Sequence, residues 1–111
     1  MELQSRIDRG HLVVSVVGRL DTGTAPEFDQ VCQALMQEGN NRIILDLSTL
    51  EYISSAGLRS VISTAKRAKN GGGGLYLSGA TGLVQEVLAV SGFDRLLPTF
   101  GSVDIALESL V

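Results

Sequence analysis

Two adjacent serines followed by Ala56 and Gly57 form the strongest candidate for chemistry in this chain of 111 residues. Ser54 and Ser55 follow an apolar stretch and open a segment with helical spacing, so they fall where a strand gives way to a helix. The amides of a first helical turn have no partner within the helix. A serine here can therefore cap the helix, or it can carry a phosphoryl group of about −1.5 to −2 charges, which a helix N-terminus tolerates. On chemistry alone, the cap is the simpler interpretation.

Catalysis at this serine is disfavoured, because a nucleophilic serine needs a general base. The single histidine, His11, lies on a separate predicted hairpin. Asp21 and Asp46 follow two strands that we expect to be neighbours, and paired carboxylates can do acid-base work or hold a metal. No histidine or further acid accompanies them, so we expect loop hydrogen bonding or a charged rim. We predict no enzyme, no cofactor and no metal site.

Four consecutive glycines, Gly71 to Gly74, have the composition of a phosphate-binding loop but the wrong position. A phosphate cradle follows a strand and precedes a helix, so that the helix N-terminus faces the anion. Here the glycines follow a predicted helix and precede a predicted strand. We expect them to stop the helix and form a turn.

The composition restricts the class of protein. Nine Lys and Arg against 12 Asp and Glu give a net charge of −3, whereas a nucleic-acid partner favours a basic stripe. The N-terminus lacks the apolar core of a signal peptide, and the longest apolar stretch, 12–17, is far too short to span a bilayer. One cysteine, Cys32, fits a reducing cytosol, and its place on an apolar helical stripe predicts burial. We expect a cytoplasmic protein with no nucleic-acid or membrane partner.

Alternating hydrophobic patterns predict one α/β domain over residues 1–111. A hairpin of strands precedes alternating helices and strands, which implies a mostly parallel sheet with one antiparallel N-terminal edge strand and about four helices. Thr24 and Glu27 have the spacing of a capping box, and the third helix is expected to bury Leu83, Val84, Val87 and Leu88. The predicted strands are 3–7, 12–17, 42–47, 75–77 and 96–97, and the helices start at about Thr24, Ser55, Thr81 and Ser102.

Three segments and the late Val90-Ser91-Gly92-Phe93 turn resemble the STAS domain, which is shared by bacterial anti-sigma factor antagonists and the cytoplasmic tails of sulfate transporters. The similarity covers essentially the whole chain, and the third segment is the most specific. The segments are Gly18-Arg19-Leu20-Asp21, Leu45-Asp46-Leu47-Ser48 and Tyr52-Ile53-Ser54-Ser55-Ala56-Gly57-Leu58.

The resemblance implies a phosphorylation switch. The phosphoacceptor of the family lies two residues before the motif glycine, at Ser55 in this chain. Many members have Asp where this chain has Ser54, so Ser54 is the alternative acceptor. The implied partners are an anti-sigma factor that is also a serine kinase with a histidine-kinase-like ATPase fold, and a PP2C-type phosphatase. The implied partner-binding residues are Asp21, Thr22, Ser54, Ala56, Gly57, Leu58 and Arg59, with Asp46 near the phosphosite.

The mechanism implied is partner switching by a free-standing antagonist. Unmodified antagonist binds the anti-sigma factor and a sigma factor is released; phosphorylation then dissociates the complex, and the phosphatase resets it. Two alternatives stay open. One is a scaffold subunit of a large stress-signalling assembly, which also uses stand-alone STAS domains. The other is a small-molecule-binding domain that uses the same crevice at the strand ends.

Overall fold

A computed structural model describes residues 1–110, which form a six-stranded sheet with helices on both faces. The strands are β1 (Glu2–Asp8), β2 (His11–Leu20), β3 (Arg42–Asp46), β4 (Leu50–Ile53), β5 (Gly74–Ser78) and β6 (Thr99–Phe100). The helices are α1 (Ala25–Gln37), α2 (Ser55–Asn70), α3 (Gly82–Ser91), α4 (Phe93–Leu96) and α5 (Val103–Leu110). None of these helices is long and apolar enough to cross a membrane.

The sheet is parallel except at its N-terminal edge. Its main order is β1-β2-β3-β5-β6, with β1 antiparallel to β2 and the remaining pairs parallel. β4 lies off this path and extends the sheet by pairing in parallel with the last residues of β2. These pairings confirm the predicted α/β class with its antiparallel edge strand.

Strand β2 is the centre of the core because apolar side chains cover both of its faces. Val14 and Val16 belong to the larger cluster, which includes residues of α1, α2 and α3. Val13 points to the opposite face of the sheet, where it packs with Ile44 and with Ala106 of α5. The β-branched run therefore predicted a strand buried on both sides correctly, as expected for a parallel sheet between helical layers.

The glycines after α2 allow two backbone segments to pass close to each other, and this is their role in the fold. A Cβ at Gly73 would overlap the carbonyl group of Asn41, so only glycine lets the two backbones pass. The helix ends at Asn70 and β5 starts at Gly74, which confirms the predicted helix stop and turn.

The structure differs from the sequence prediction near the C-terminus. The predicted strand 96–97 is wrong, because Leu96 ends the short helix α4 and β6 begins after Pro98. Pro98 has no N–H to donate, but its carbonyl accepts from the Leu77 amide at 2.9 Å and starts the pairing with β5. Helix α4 adds to the four helices that were expected, and β4 was not predicted.

Candidate functional site

The pairing of β2 with β4 brings the two halves of the predicted site together. Leu20, the last residue of β2, lies in register with Ile53, the last residue of β4. The next amide, that of Ser54, donates to the Leu20 carbonyl at 3.0 Å. The loop that begins at Asp21 and the helix start at Ser54 and Ser55 therefore leave neighbouring strands at the carboxyl edge of the sheet, where open α/β sheets place their sites.

Ser54 is the N-cap of α2. Its backbone is extended (φ −96, ψ 175) and its hydroxyl accepts a hydrogen bond from the Gly57 amide at 3.2 Å. Its carbonyl accepts the first helical bond, from the Leu58 amide at 2.9 Å. The cap that the sequence predicted for one of the two serines therefore belongs to Ser54.

Ser55 is the first residue inside the helix, and its side chain is exposed. Its hydroxyl makes no hydrogen bond to any residue between 1 and 110. The amides of the first helical turn have no acceptor within the helix and bear a partial positive charge at the end where this hydroxyl lies. The position thus combines an accessible hydroxyl with an environment that accepts negative charge.

Gly57 allows the helix to start so close to the sheet. A Cβ at this position would lie 2.6 Å from the Leu20 carbonyl oxygen and 2.9 Å from Cγ1 of Ile53. Both neighbours are held in the paired ends of β2 and β4, so neither can easily move away. The glycine of the motif is therefore required for close packing, which fixes the position of Ser54 and Ser55.

The loop after β2 is held by the Asp21 carboxylate. Its Oδ1 accepts from the amides of Gly23 at 3.0 Å and Thr24 at 3.2 Å. Desolvation acts against ionisation, but the hydrogen bonds from Thr24 and Gly23 and the charge of Arg19 outweigh it, so the pKa of the Asp21 carboxyl is below its ordinary value. Asp21 is an anion that shapes the loop at physiological pH, and Thr22 is exposed beside it.

The predicted capping box of Thr24 and Glu27 is wrong. Thr24 precedes α1 but has helical dihedral angles (φ −106, ψ −17) and no side-chain cap bond. Its hydroxyl accepts from the Asp21 amide and donates to the Arg19 carbonyl, both at 2.9 Å. The side chain stabilises the loop instead of the helix, because these loop groups lie within its reach.

Arg19 and Tyr52 form a contact at the site that the sequence did not indicate. The Arg19 guanidinium lies 4.3 Å from the centroid of the Tyr52 ring, and its Nε is 3.7 Å from Oδ2 of Asp21. The two residues are in register across β2 and β4. The pair depends on the register of β2 with β4, and it places a cation beside the Asp21 loop.

An apolar hollow of about 390 Å³ lies between the start of α2 and α3, directly beside Ser55. Its apolar lining is Leu58, Leu83, Val87 and Val90. Leu83 is 51% exposed and Val90 is 90% exposed. The expectation that Leu83 is buried is wrong, because the apolar arc of α3 is wider than the face that the sheet covers. The uncovered part has the character of a contact surface.

Comparison with known proteins identifies the family of this chain. The family model of the STAS domain matches residues 2–106. The chain belongs to the STAS domain family. BtrV of Bordetella bronchiseptica, named as a candidate anti-sigma factor antagonist, is 35% identical over 97 residues, which cover 87% of this chain and 84% of BtrV.

Solved structures share the architecture of this STAS domain. An anti-sigma factor antagonist from Mycobacterium paratuberculosis aligns with a TM-score of 0.88 and 25% identity over 98% of this chain and 92% of that one. SpoIIAA of Bacillus in its phosphorylated form aligns with a TM-score of 0.74 and 18% identity over 99% of this chain and all of SpoIIAA. The second comparison supports the fold alone.

The STAS domain does not bring Asp46 to the site. Asp46 lies in register with Ser15, whose hydroxyl donates to it at 3.2 Å, and it also accepts from the amide and hydroxyl of Ser48 at 3.0 and 2.7 Å. Ser15 precedes Leu20 by five residues of β2, roughly 15 Å along a strand. This stagger corrects the expectation that Asp46 lies near Ser55 and separates it from Asp21 as well.

Proposed function

We propose that this STAS domain is an anti-sigma factor antagonist that acts by partner switching. In its unphosphorylated form it binds an anti-sigma factor that is also a serine kinase with a histidine-kinase-like ATPase fold. Transfer of a phosphoryl group from ATP to Ser55 dissociates the complex, and a PP2C-type phosphatase restores the hydroxyl. The role is regulatory rather than catalytic, it needs no cofactor, and it places the protein in the cytoplasm. The names of BtrV and of the mycobacterial antagonist support this assignment.

The observation that carries the proposal is the division of labour between the two serines. A kinase needs an accessible hydroxyl whose oxygen is free to attack the γ-phosphate. Ser55 is exposed and its hydroxyl has no hydrogen-bond partner among residues 1–110, whereas the Ser54 hydroxyl holds the Gly57 amide. Modification of Ser55 therefore preserves the cap and the fold, and modification of Ser54 would disturb both.

The local charges support a switch that preserves the fold and changes the surface. A phosphoryl group on Ser55 adds about −1.5 to −2 charges at a helix N-terminus that stabilises anions. Asp21, already ionised, follows the end of the neighbouring strand β2, so a partner that covers both strand ends meets two negative groups. Burial of an unpaired dianion in an interface is strongly unfavourable, and a hundredfold loss of affinity needs only about 2.7 kcal/mol.

The surface proposed to bind the kinase surrounds Ser55. On one side lie Asp21 and the exposed Thr22 of the β2 loop. On the other side, α2 presents the exposed Arg59, the half-buried Ala56 and Leu58, and the apolar hollow beside it. Ser54 and Gly57 position this surface from below.

Binding of two Ser55 variants to a purified kinase tests the proposal. We expect Ser55→Ala to bind the histidine-kinase-like ATPase encoded nearest its gene as tightly as the wild type in calorimetry with ADP. Ser55→Asp is expected to bind about a hundredfold more weakly. Ser5→Asp is the matched control, because Ser5 is exposed on edge strand β1. Equal affinity of Ser55→Asp and Ser55→Ala would overturn the switch.

A further inference from the structure

A second apolar hollow, of about 490 Å³, lies between the C-terminal half of α2 and the turn at α4. Ile62 and Ala65 form its floor, with Leu96 and Leu97 on the opposite side. Leu96 is 61% exposed, although it is one of the most apolar side chains of the chain. Within residues 1–110 nothing covers this hollow.

The two hollows follow a single stripe of α2. Ser55, Leu58, Ile62, Ala65 and Lys69 succeed one another at intervals of three and four residues, so they share one helix face. The first two of them line the hollow at α3, and the last three line the hollow at α4. We call the combined surface the α2 groove; at about 1.5 Å per residue it is roughly 21 Å long.

The end of the α2 groove that is remote from Ser55 is positively charged. Lys66 and Lys69 line it, and both are exposed. Neither forms an ion pair within the part of the chain that the structure describes. The chain as a whole has a net charge of −3, so this end of the groove differs in sign from the protein's overall charge. Two lysines beside an exposed leucine fit a ligand that is both acidic and apolar.

We propose that the α2 groove binds an amphipathic α-helix of the anti-sigma factor kinase. The apolar face of this helix lies on the groove, and its carboxylates meet Lys66 and Lys69. This inference rests on the proposed function, because it takes the kinase as the partner, and it adds which element the kinase presents.

A helix fits the groove better than an extended segment. The walls of the groove are formed by α2, α3 and the α4 segment, and no strand lines it. An extended peptide would find no strand edge with which to pair, whereas a helix satisfies its own backbone and contributes side chains at every third or fourth position. A helix of about 14 residues spans the groove from Ser55 to Lys69.

The position of Ser55 at one end of the groove connects the docked helix with the phosphorylation switch. A phosphoryl group there would face the end of the partner helix that lies away from the lysines. The Glu86 side chain also lines this end. Negative charge at one end and positive charge at the other then fix the direction in which the partner helix binds.

Charge reversal at the lysine end tests the proposal. We expect Lys66→Glu/Lys69→Glu to weaken binding to the purified kinase by about tenfold or more at 50 mM salt, and by less at 500 mM, because exposed charges are screened. Arg67→Glu is the matched control. Arg67 also lies in the last turn of α2, so reversal disturbs the helix dipole similarly, but it does not line the hollow. We expect Arg67→Glu to change affinity by less than about twofold.

The possible outcomes separate this inference from the proposed function. If the kinase binds and phosphorylates Ser55 but the lysine pair and Arg67 variants bind equally well, the groove proposal is wrong and the switch stands. If the kinase neither binds nor phosphorylates the wild type, the proposed function itself fails. If the lysine variant instead changes the mass of the isolated protein in light scattering, or its binding to anionic vesicles, the groove serves a second copy or a membrane and the helix proposal is overturned.

Discussion

The α-carbon of Gly57 faces the Leu20 carbonyl oxygen so closely that a Cβ would lie only 2.6 Å from that oxygen. This contact seats the first turn of α2 on the end of β2. It explains why a residue of low helix propensity occupies the third position of a helix. The position of both serines depends on it.

Gly57→Ala is therefore expected to destabilise the protein although Ala normally favours a helix. We expect a loss of about 1–3 kcal/mol in urea unfolding, because overpacking forces the helix start away from the sheet. Gly101→Ala is the control, since a Cβ there meets only Cδ1 of Ile105 at an ordinary 3.5 Å. A neutral or stabilising effect of Gly57→Ala would show that the close contact is unimportant.

The two serines are expected to differ in their effects on stability. Ser54→Ala removes the hydroxyl that accepts from the Gly57 amide, so it should lower the free energy of unfolding by about 1 kcal/mol. Ser55→Ala removes an exposed hydroxyl without a partner among residues 1–110 and should change it by less than about 0.5 kcal/mol. Chemical denaturation of both variants measures the difference. The reverse order would mean that the assignment of the cap is wrong.

Asp21 should make stability depend on acid pH. Its folded pKa lies below the unfolded value of about 3.9, so its stabilising contribution is fully present above about pH 5 and is lost as pH falls through the folded pKa. Asp21→Asn cannot ionise, so the stability gap between wild type and variant should narrow from pH 7 to pH 3. Asp94→Asn, at an exposed position of α4, serves as control. A gap that stays constant across this range would contradict the role of the charge.

Cys32 should be unreactive in the folded protein. Burial, together with the Asp29 carboxylate, raises the pKa of its thiol to about 12, so almost no thiolate exists at pH 8. We expect a thiol reagent to label the chain rapidly in denaturant and only at the rate of structural opening in native buffer. Rapid labelling with unchanged circular dichroism would contradict the burial.

The regular elements of the fold were predictable because their signals are local. The β-branched run of β2 predicts a strand buried on both faces, and the apolar spacing of α2 predicts a helix; the structure has both. β4 gives no such signal, because four residues form a strand there only by pairing with the far end of β2. Leu96 and Leu97 gave a false strand signal. Two adjacent leucines suggest a buried strand, but here they border an open groove.

The candidate site was predictable in place but not in detail. The start of a helix after a strand located Ser54 and Ser55, but only the extended backbone of Ser54 shows which hydroxyl acts as the cap. The contact of Arg19 with Tyr52 follows from the pairing of β2 with β4, and the position of Asp46 follows from the pairing of β2 with β3. Such long-range register is not encoded in the spacing of single residues.

The site of phosphate transfer is the most direct test of the central claim. The wild type, Ser54→Ala and Ser55→Ala proteins are incubated with ATP and the purified kinase, digested, and analysed by mass spectrometry. The claim predicts one phosphate on Ser55 in the wild type, the same phosphate in Ser54→Ala, and none in Ser55→Ala. A phosphate on Ser54, or undiminished phosphorylation of Ser55→Ala, would contradict it.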